Sequence, residues 1–584
     1  MVMPTNNGDE SIDFTPDCST PEEALFLGNF HKTLPHNQYG EVDSVAYRKF
    51  KGICNAVEQG MPVNFEDVPK GSPILVYPHD MVRALRGTAK FTSPLAGAST
   101  ESLGPLPKSM EMIPAPSVKS HTTAAEMVEL YWMAYLRDKD IYEFCSSDPE
   151  IQQAVEDISK AYTKAQNAKN KTWGDIEVGL DIPETIDVNS LFRCGLKDEE
   201  FGPLVSQFFL HDIAYGTQTI VPDQFPYAAG RDFLVDYKAW LHAQNTGKDS
   251  YGRDYANCNY FADDPAYYEK SKRKIATMRD LARFVNRDAL HQAYFNAALF
   301  LDSHGAKIDS GNPYSGTLYT REGGFATLGG PDLLTLVSEV ASRALKVVWR
   351  QKWLVHRRCR PEVYGGLLHV KHIGADDDPA LKRNYDLNDA DAEVVLSSAI
   401  AGMLKTKYGK QQLLLPMAFS AGSPAHPAYG AGHATVAGAC VTVLKAWFDE
   451  DQKFESLFTS AAKCIKGPKE PPSPLPVAGI LYPSLSGPTA TPPTCLNDKE
   501  VKKISSMTVG GELNKVAANV AMGRSMGGVH WRTDNTRSLR LGEQIAIEIL
   551  KKRTLEYAEY PVSFTFTSFD KKSIRIANGE AIYL

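Results

Sequence analysis

The feature that most limits how this chain can fold is a series of long segments whose apolar residues recur at helical spacing. Thr122 to Arg137 places Ala125, Met127, Leu130, Tyr131 and Ala134 at that period, with His121-Thr122-Thr123 as its expected cap. Asp280 to Ser303 and Pro331 to Arg358 are longer and apolar on more than one face, which places them inside a bundle. Ala434 to Asp449, Gly511 to Ser525 and Asn535 to Lys551 follow, and a shorter helix is expected at Ala46 to Glu58. Strand signal is confined to alternating residues near Val562 to Phe569. The predicted class is all-α, with packed helical bundles, long loops and little strand.

At 584 residues the chain is long enough for several domains or for one large helical body. The natural divisions are a loop-rich region with short helices over 1–118, a first helical region over 119–330 and a second over 331–584. Gly87 to Val118 is rich in Pro, Ser and Gly and reads as a surface-hugging connection. Gly467 to Pro493 is a second such stretch, which cannot be helical throughout and reads as a surface insertion more readily than as a lid.

A net charge of −7 offers no basic excess to displace counterions from phosphates, so a general nucleic-acid binder is excluded. No apolar run reaches the roughly 18 residues needed to span a bilayer. The polar, acidic start MVMPTNNGDESIDF lacks the plan of a signal peptide, so a soluble protein of unassigned compartment is expected. Nine cysteines, scattered from Cys18 to Cys495 without a C-x-x-C pair, read as buried thiols rather than a disulfide framework or zinc site.

Three separated segments carry charged or imidazole groups beside a helix end or a tight turn. In KWLVHRRCRP, Lys352 to Pro361, Lys352 lies in a helix that Pro361 is expected to end, leaving Arg360 at its C-terminal edge. Alone, the basic run Lys352, Arg357, Arg358 and Arg360 reads more readily as a solvated face than as a site. In Ser423 to Phe448, the turn Gly430-Ala431-Gly432 delivers His433 to the start of an apolar helix, whose first amides favour an anion. Gly432, without a Cβ, lets its N–H approach an oxyanion closely. In GRSMGGVHWRTD, Gly523 to Asp534, Arg524 sits at a helix end and His530 on the link that follows. Asp534 either caps the next helix or bonds the far nitrogen of His530, and the two readings are evenly matched.

Taken together, Lys352, Arg360 and Arg524 supply three cations, Gly432 a backbone donor, and His433 and His530 two imidazoles. That set suits a tetrahedral oxyanion. At ~4 Å and an effective dielectric of ~20, each cation–anion pair is worth on the order of 4 kcal/mol before desolvation. Three buried cations would repel one another without an anion between them.

The order Lys-x7-Arg-Pro, Gly-x-Gly-His, Arg-x5-His-x3-Asp resembles the vanadium haloperoxidases, which share a pocket with type-2 phosphatidic acid phosphatases and bacterial acid phosphatases. The step from Lys352 to Arg360 is similar to the red-algal bromoperoxidase branch. So are LPHNQYGEVD, GRDFLVDYKAWL around Asp232, SEVASRALKVV around Arg343, the stretch LLLPMAFSAGSPAHPAYGAGHATVAGACVTVLKAWFD and the ending HWRTDNTRSLRLGEQIAIEIL, so the likeness covers most of the chain.

The resemblance implies one vanadate per subunit, with His530 binding vanadium through a ring nitrogen. It implies that Lys352, Arg360, Arg524 and the Gly432 amide, with position 431 beside them, hold the vanadate oxygens. His433 would be the acid–base group and His426 a second pocket histidine. Hydrogen peroxide, halide and small organic acceptors would be the reaction partners, with Lewis-acid activation of peroxide and release of hypohalous acid. Lys352 would assist electrostatically. Large shells of red-algal relatives imply a homo-oligomer.

Three departures from the family pattern stand out. Ala431 replaces the usual serine, whose hydroxyl donates to a vanadate oxygen; a lost bond to a charged group costs roughly 1.5–3 kcal/mol. Trp349 stands three residues before Lys352, where the red-algal branch tends to have Arg and fungal chloroperoxidases an aromatic, so halide preference stays open and chloride oxidation enters the range. Asp309 to Thr327 lacks the acidic pair with which red-algal enzymes hold calcium, so calcium is not predicted. Two alternatives remain: a phosphohydrolase with His530 as nucleophile and His433 as general acid, and an oxyanion-binding homologue weakened at Ala431.

Overall fold

A computed structural model of the chain describes residues 28–71, 90–101, 103–168, 171, 174–255, 267–385, 387, 389–410, 412–458, 479–496 and 504–584. The acidic start, Cys18, the beginning of the first Pro-rich connection and residues 467–478 of the second lie outside the described residues.

Helices dominate. In chain order they are α1 (Ser44–Glu58), α2 (His121–Tyr135), α3 (Pro149–Gln166), α4 (Tyr237–Thr246), α5 (Met278–Arg287), α6 (Gln292–Ser303), α7 (Gly330–Arg350), α8 (Pro361–His372), α9 (Asp389–Leu396), α10 (Ala399–Tyr408), α11 (Gly432–Trp447), α12 (Val509–Met526) and α13 (Arg532–Glu556). Among the described residues strand is limited to the hairpin β1 (Ile213–Tyr215) and β2 (Gln218–Ile220) and an antiparallel sheet of β3 (Ser563–Thr567), β4 (Ser573–Ala577) and β5 (Glu580–Tyr583), in that order. The sheet contains the alternating stretch near Val562, and the class is the one expected. Among the described residues no helix is long and apolar enough to cross a membrane.

At the centre lies α11, packed against α7, α12 and α13. It can sit there because its residues, Gly432 apart from His433 through to Trp447, are buried on every side. A Cβ on Gly438 would collide with the Leu539 backbone, and one on Gly542 with the Thr435 carbonyl, so these two glycines let α11 and α13 cross at close range. Buried apolar residues from Phe30 to Ile576 form one cluster. Bonds cross both expected divisions: Lys32 pairs with Glu362, and Arg358 with Glu126.

Several ends differ from the sequence expectation, each for a local reason. The cap of α2 is Ser120, whose hydroxyl accepts from the Thr123 amide, rather than the His121-Thr122-Thr123 run. The Asp280–Ser303 segment is two helices, broken at Asp288, with Thr277 and Asp280 forming a capping box at the start of α5. The Pro331–Arg358 segment is α-helical only to Arg350 and continues as a π turn over Gln351–His356. Pro361 does not end that helix. It is the first residue of α8, where its missing N–H costs nothing, and Arg360 is the N-cap residue of α8 rather than the C-terminal edge of α7.

The described part of the Pro-rich connection does more than cross a surface. Pro94–Ala98 lies so close to α7 that a Cβ on Gly97 would strike the Arg350 backbone, and Thr92 O accepts from Trp349 Nε1 at 3.0 Å. In the second stretch, Thr491 O and Pro492 O accept from Tyr142 Oη, both at 3.2 Å.

Candidate oxyanion site

The π turn carries an extra residue in its last turn, and Lys352 sits within it. Lys352 Nζ is fully buried and donates to Pro427 O at 2.8 Å and Ala428 O at 3.2 Å, so of its three N–H groups one is left over. Arg357 then takes a left-handed conformation (φ 51°), which turns the chain toward α8. Arg360 is likewise fully buried. Its Nε donates to His426 O at 3.0 Å, NH1 to Val529 O at 2.7 Å, and NH2 reaches His426 Nδ1 at 2.8 Å. The whole basic run is buried rather than solvated. Arg358 turns the other way, to Glu126 and to Asp534 Oδ1 at 2.8 Å, with its guanidinium over the Trp531 ring.

His530 lies on the tight link between α12 and α13. Arg360 NH1 approaches its Nε2 at 3.0 Å, and Asp534 Oδ2 lies 3.0 Å from its Nδ1. A guanidinium can only donate, so Nε2 is the lone-pair nitrogen and Nδ1–H points at Asp534. Burial, reinforced by Arg360, Lys352 and Arg524, holds the imidazole pKa well below its ordinary range, which keeps the ring neutral. Asp534 fills both roles weighed from sequence, since Oδ2 also accepts the Trp531 amide at 3.0 Å near the start of α13. His426 obeys the same logic. Its Nδ1 accepts from Arg360, which places the proton on Nε2, and burial with Lys352 and Arg360 keeps it neutral.

His433 occupies the first turn of α11, half-buried, with Nε2 2.9 Å from Asp288 Oδ1. Asp288 is the residue at which the segment around α5 and α6 breaks. The Ala431 amide donates to Ser538 Oγ of α13 at 2.8 Å, which fixes the turn from across the helix pair. A Cβ on Gly432 would come within 2.9 Å of the Trp349 ring, so this turn needs glycine for space. Trp349 itself lies 5.1 Å from the His426 ring and 5.5 Å from Lys352 Nζ.

Arg524, near the end of α12, anchors NH1 on Tyr255 Oη at 2.8 Å and Val285 O at 2.7 Å, and its buried Nε has no partner. The field joins these groups. Burial first, then Arg360, pushes the Lys352 ammonium well below its usual range, with Arg524 adding to the effect. Burial and Arg524 bring the Arg360 guanidinium down to about 9. A pocket of this kind offers donors and positive charge, with imidazole lone pairs on His530 Nε2 and His426 Nδ1 that both face Arg360. The orphaned Arg524 Nε, the spare Lys352 N–H and the first amides of α11 suit a tetrahedral oxyanion metal centre.

Comparison with known proteins finds relatives along nearly the whole chain. The chain is 31% identical to the vanadium-dependent bromoperoxidase of Corallina pilulifera, over 98% of this chain and 94% of that protein. It is 31% identical to the Corallina officinalis enzyme of the same name (99% and 95%) and 30% identical to that of Ascophyllum nodosum (95% and 87%). This chain belongs to the vanadium-dependent bromoperoxidase family. Among solved structures, the homohexameric second vanadate-dependent bromoperoxidase of Ascophyllum nodosum superposes with a TM-score of 0.74 at 27% identity, covering 99% of this chain and 87% of that one. No family model matches the chain.

Within this bromoperoxidase framework, Lys352, Arg360, His426 and His530 form one bonded cluster, and Arg524 joins it through the field it exerts on each of them. Sequence reasoning missed Asp288, Glu126, Ser538 and Tyr255. Arg358 was visible in the KWLVHRRCRP run, but nothing in that spacing separates it from Arg360. Asp288 lies 145 positions from His433, and only the helix break marks it.

Proposed function

We propose that this chain is a vanadate-dependent haloperoxidase, oxidising bromide with hydrogen peroxide and releasing hypobromous acid to small organic acceptors. The observation that supports it most is the His530 Nε2 lone pair, which faces Arg360 among three buried cations. His530 Nε2 would ligate the vanadium of one vanadate per chain, and Lys352, Arg360, Arg524 and the Gly432 amide would hold its oxygens. Bound there, vanadate supplies a Lewis-acidic centre that activates hydrogen peroxide toward halide.

The chain's own groups account for the rest. Asp534 orients His530 and keeps its proton on Nδ1. Asp288 faces His433 Nε2, so a neutral His433 carries its proton there and offers Nδ1 as the base that takes a proton from entering hydrogen peroxide. His426 Nε2–H is a donor beside Lys352, and the Lys352 ammonium would supply positive charge to an anion held in the pocket. Trp349, against His426 and the α11 turn, walls the side from which halide would enter, and chloride is a second substrate to test. Ala431 offers no hydroxyl, so one donor of the family pattern is missing here. The hexameric relative supports a homo-oligomer.

The test is reconstitution with orthovanadate, followed by peroxide, bromide and monochlorodimedone. Vanadate-dependent bromination that is lost in His530→Ala is expected. Hydrolysis of p-nitrophenyl phosphate without halogenation would overturn the reading in favour of a phosphohydrolase.

A further inference from the structure

Tyr255 stands in the wall of the oxyanion pocket but belongs to none of the motifs that mark it. Its phenol oxygen accepts from Arg524 NH1 at 2.8 Å, and the Arg524 guanidinium carbon lies 5.7 Å from the ring centroid. Phe419 meets the ring edge-on, with centroids 5.7 Å apart. The phenol also acts electrostatically on Arg360, so it lies within range of both pocket guanidiniums. The ring is half-buried.

A phenol oxygen feeds electron density to its ortho and para carbons, and in tyrosine the para carbon is blocked by the side chain. The two ortho carbons flank the carbon that bears the oxygen, so they share its place beside Arg524. Tyr251, Tyr560 and Tyr583 are exposed phenols, whereas Tyr255 is bonded directly to a guanidinium of the pocket.

We propose that Tyr255 is the enzyme's own halogenation site, brominated at an ortho carbon by the hypobromous acid made beside it; this rests on the haloperoxidase reading above. The ring's π electrons attack bromine, the O–Br bond breaks and hydroxide leaves as the C–Br bond forms. The ortho carbon then gives up its proton, which joins the hydroxide as water. The ring is oxidised by two electrons and bromine is reduced by two, so no further reagent is needed. The added bromine flanks the oxygen that anchors Arg524, leaving Val285 O, 2.7 Å from NH1, as the undisturbed anchor.

The test uses the full chain reconstituted with orthovanadate and turned over with peroxide and bromide, with excess monochlorodimedone counting turnovers and protecting exposed tyrosines. Trypsin cuts after Arg253, so Tyr251 and Tyr255 fall on different peptides, and fragment ions place the mark. The expected result is a bromine isotope doublet on Tyr255 before Tyr251, Tyr560 or Tyr583, absent from Tyr255→Phe at equal turnovers. Hypobromous acid added from outside to chain without vanadate should instead mark the exposed tyrosines first. Acceptor bromination with Tyr255 unmarked, or marked no sooner than the exposed phenols, overturns this inference alone. Absence of acceptor bromination overturns the haloperoxidase reading and this inference with it.

Discussion

The Ala431 amide is donated to Ser538 Oγ at 2.8 Å, so the turn before α11 is held by α13 and does not depend on the side chain at position 431. Ala431→Ser should therefore add a hydroxyl donor to a turn already in place. One bond to a charged group is worth roughly 1.5–3 kcal/mol, so vanadate affinity should rise about tenfold or more. Equilibrium titration of wild type and variant measures this, and unchanged or weaker binding would show that position 431 does not face the oxyanion.

Asp534 serves His530, the Trp531 amide and Arg358 at once. Asp534→Asn removes the charge that balances Arg358 and leaves the His530 tautomer unfixed. Vanadate affinity should fall roughly 10- to 100-fold, the usual cost of losing a partner behind a metal ligand. Glu126, which also pairs with Arg358, should keep the fold intact, as circular dichroism would verify.

Within the proposed set, Asp288 faces His433, the proposed acid–base group. Asp288→Asn should lower kcat for bromide oxidation on the order of 100-fold while vanadate affinity changes little. Steady-state kinetics at saturating vanadate separates the two effects, and a parallel loss of vanadate binding would assign Asp288 a structural role instead.

How far the sequence could be read depended on whether a residue's partner lay nearby in the chain. The helices around Thr122, Ala434 and Asn535 were legible because their apolar faces repeat within each segment. Lys352, Arg360, Arg524 and His530, which the structure brings together, could be proposed as a set because each stands beside a turn or helix end. The break at Asp288 and the π turn at Gln351 were not, because each is decided by contacts with distant segments. Pro361 was misjudged because a proline beside a helical pattern marks an end or a beginning equally well, and only the orientation of α8 decides.

Away from the site, Asp232 gathers Arg137 at 2.7 Å, Arg279 at 3.0 Å and Lys407 at 3.1 Å. Burial opposes its charge, but these three cations outweigh burial and hold its carboxyl well below the ordinary carboxylate range. Its pKa is thus lower folded than unfolded. The stability it contributes is present above an unfolded pKa of about 3.9 and is lost as pH falls toward the folded value. Asp232→Asn should destabilise by about 3–5 kcal/mol at neutral pH, because two buried guanidiniums lose their shared partner. It should also flatten the acid limb of the stability curve. Urea unfolding at neutral and acid pH reads both, and an acid limb as steep as that of wild type would count against Asp232.

The central claim is that His530 Nε2 and three buried cations converge on one vanadate. A crystal of the chain soaked in orthovanadate tests it most directly. A single vanadium centre bonded to His530 Nε2 is expected, with its oxygens held by Lys352, Arg360, Arg524 and the Gly432 amide. Vanadium bound elsewhere, or these side chains turned to separate places, would contradict it.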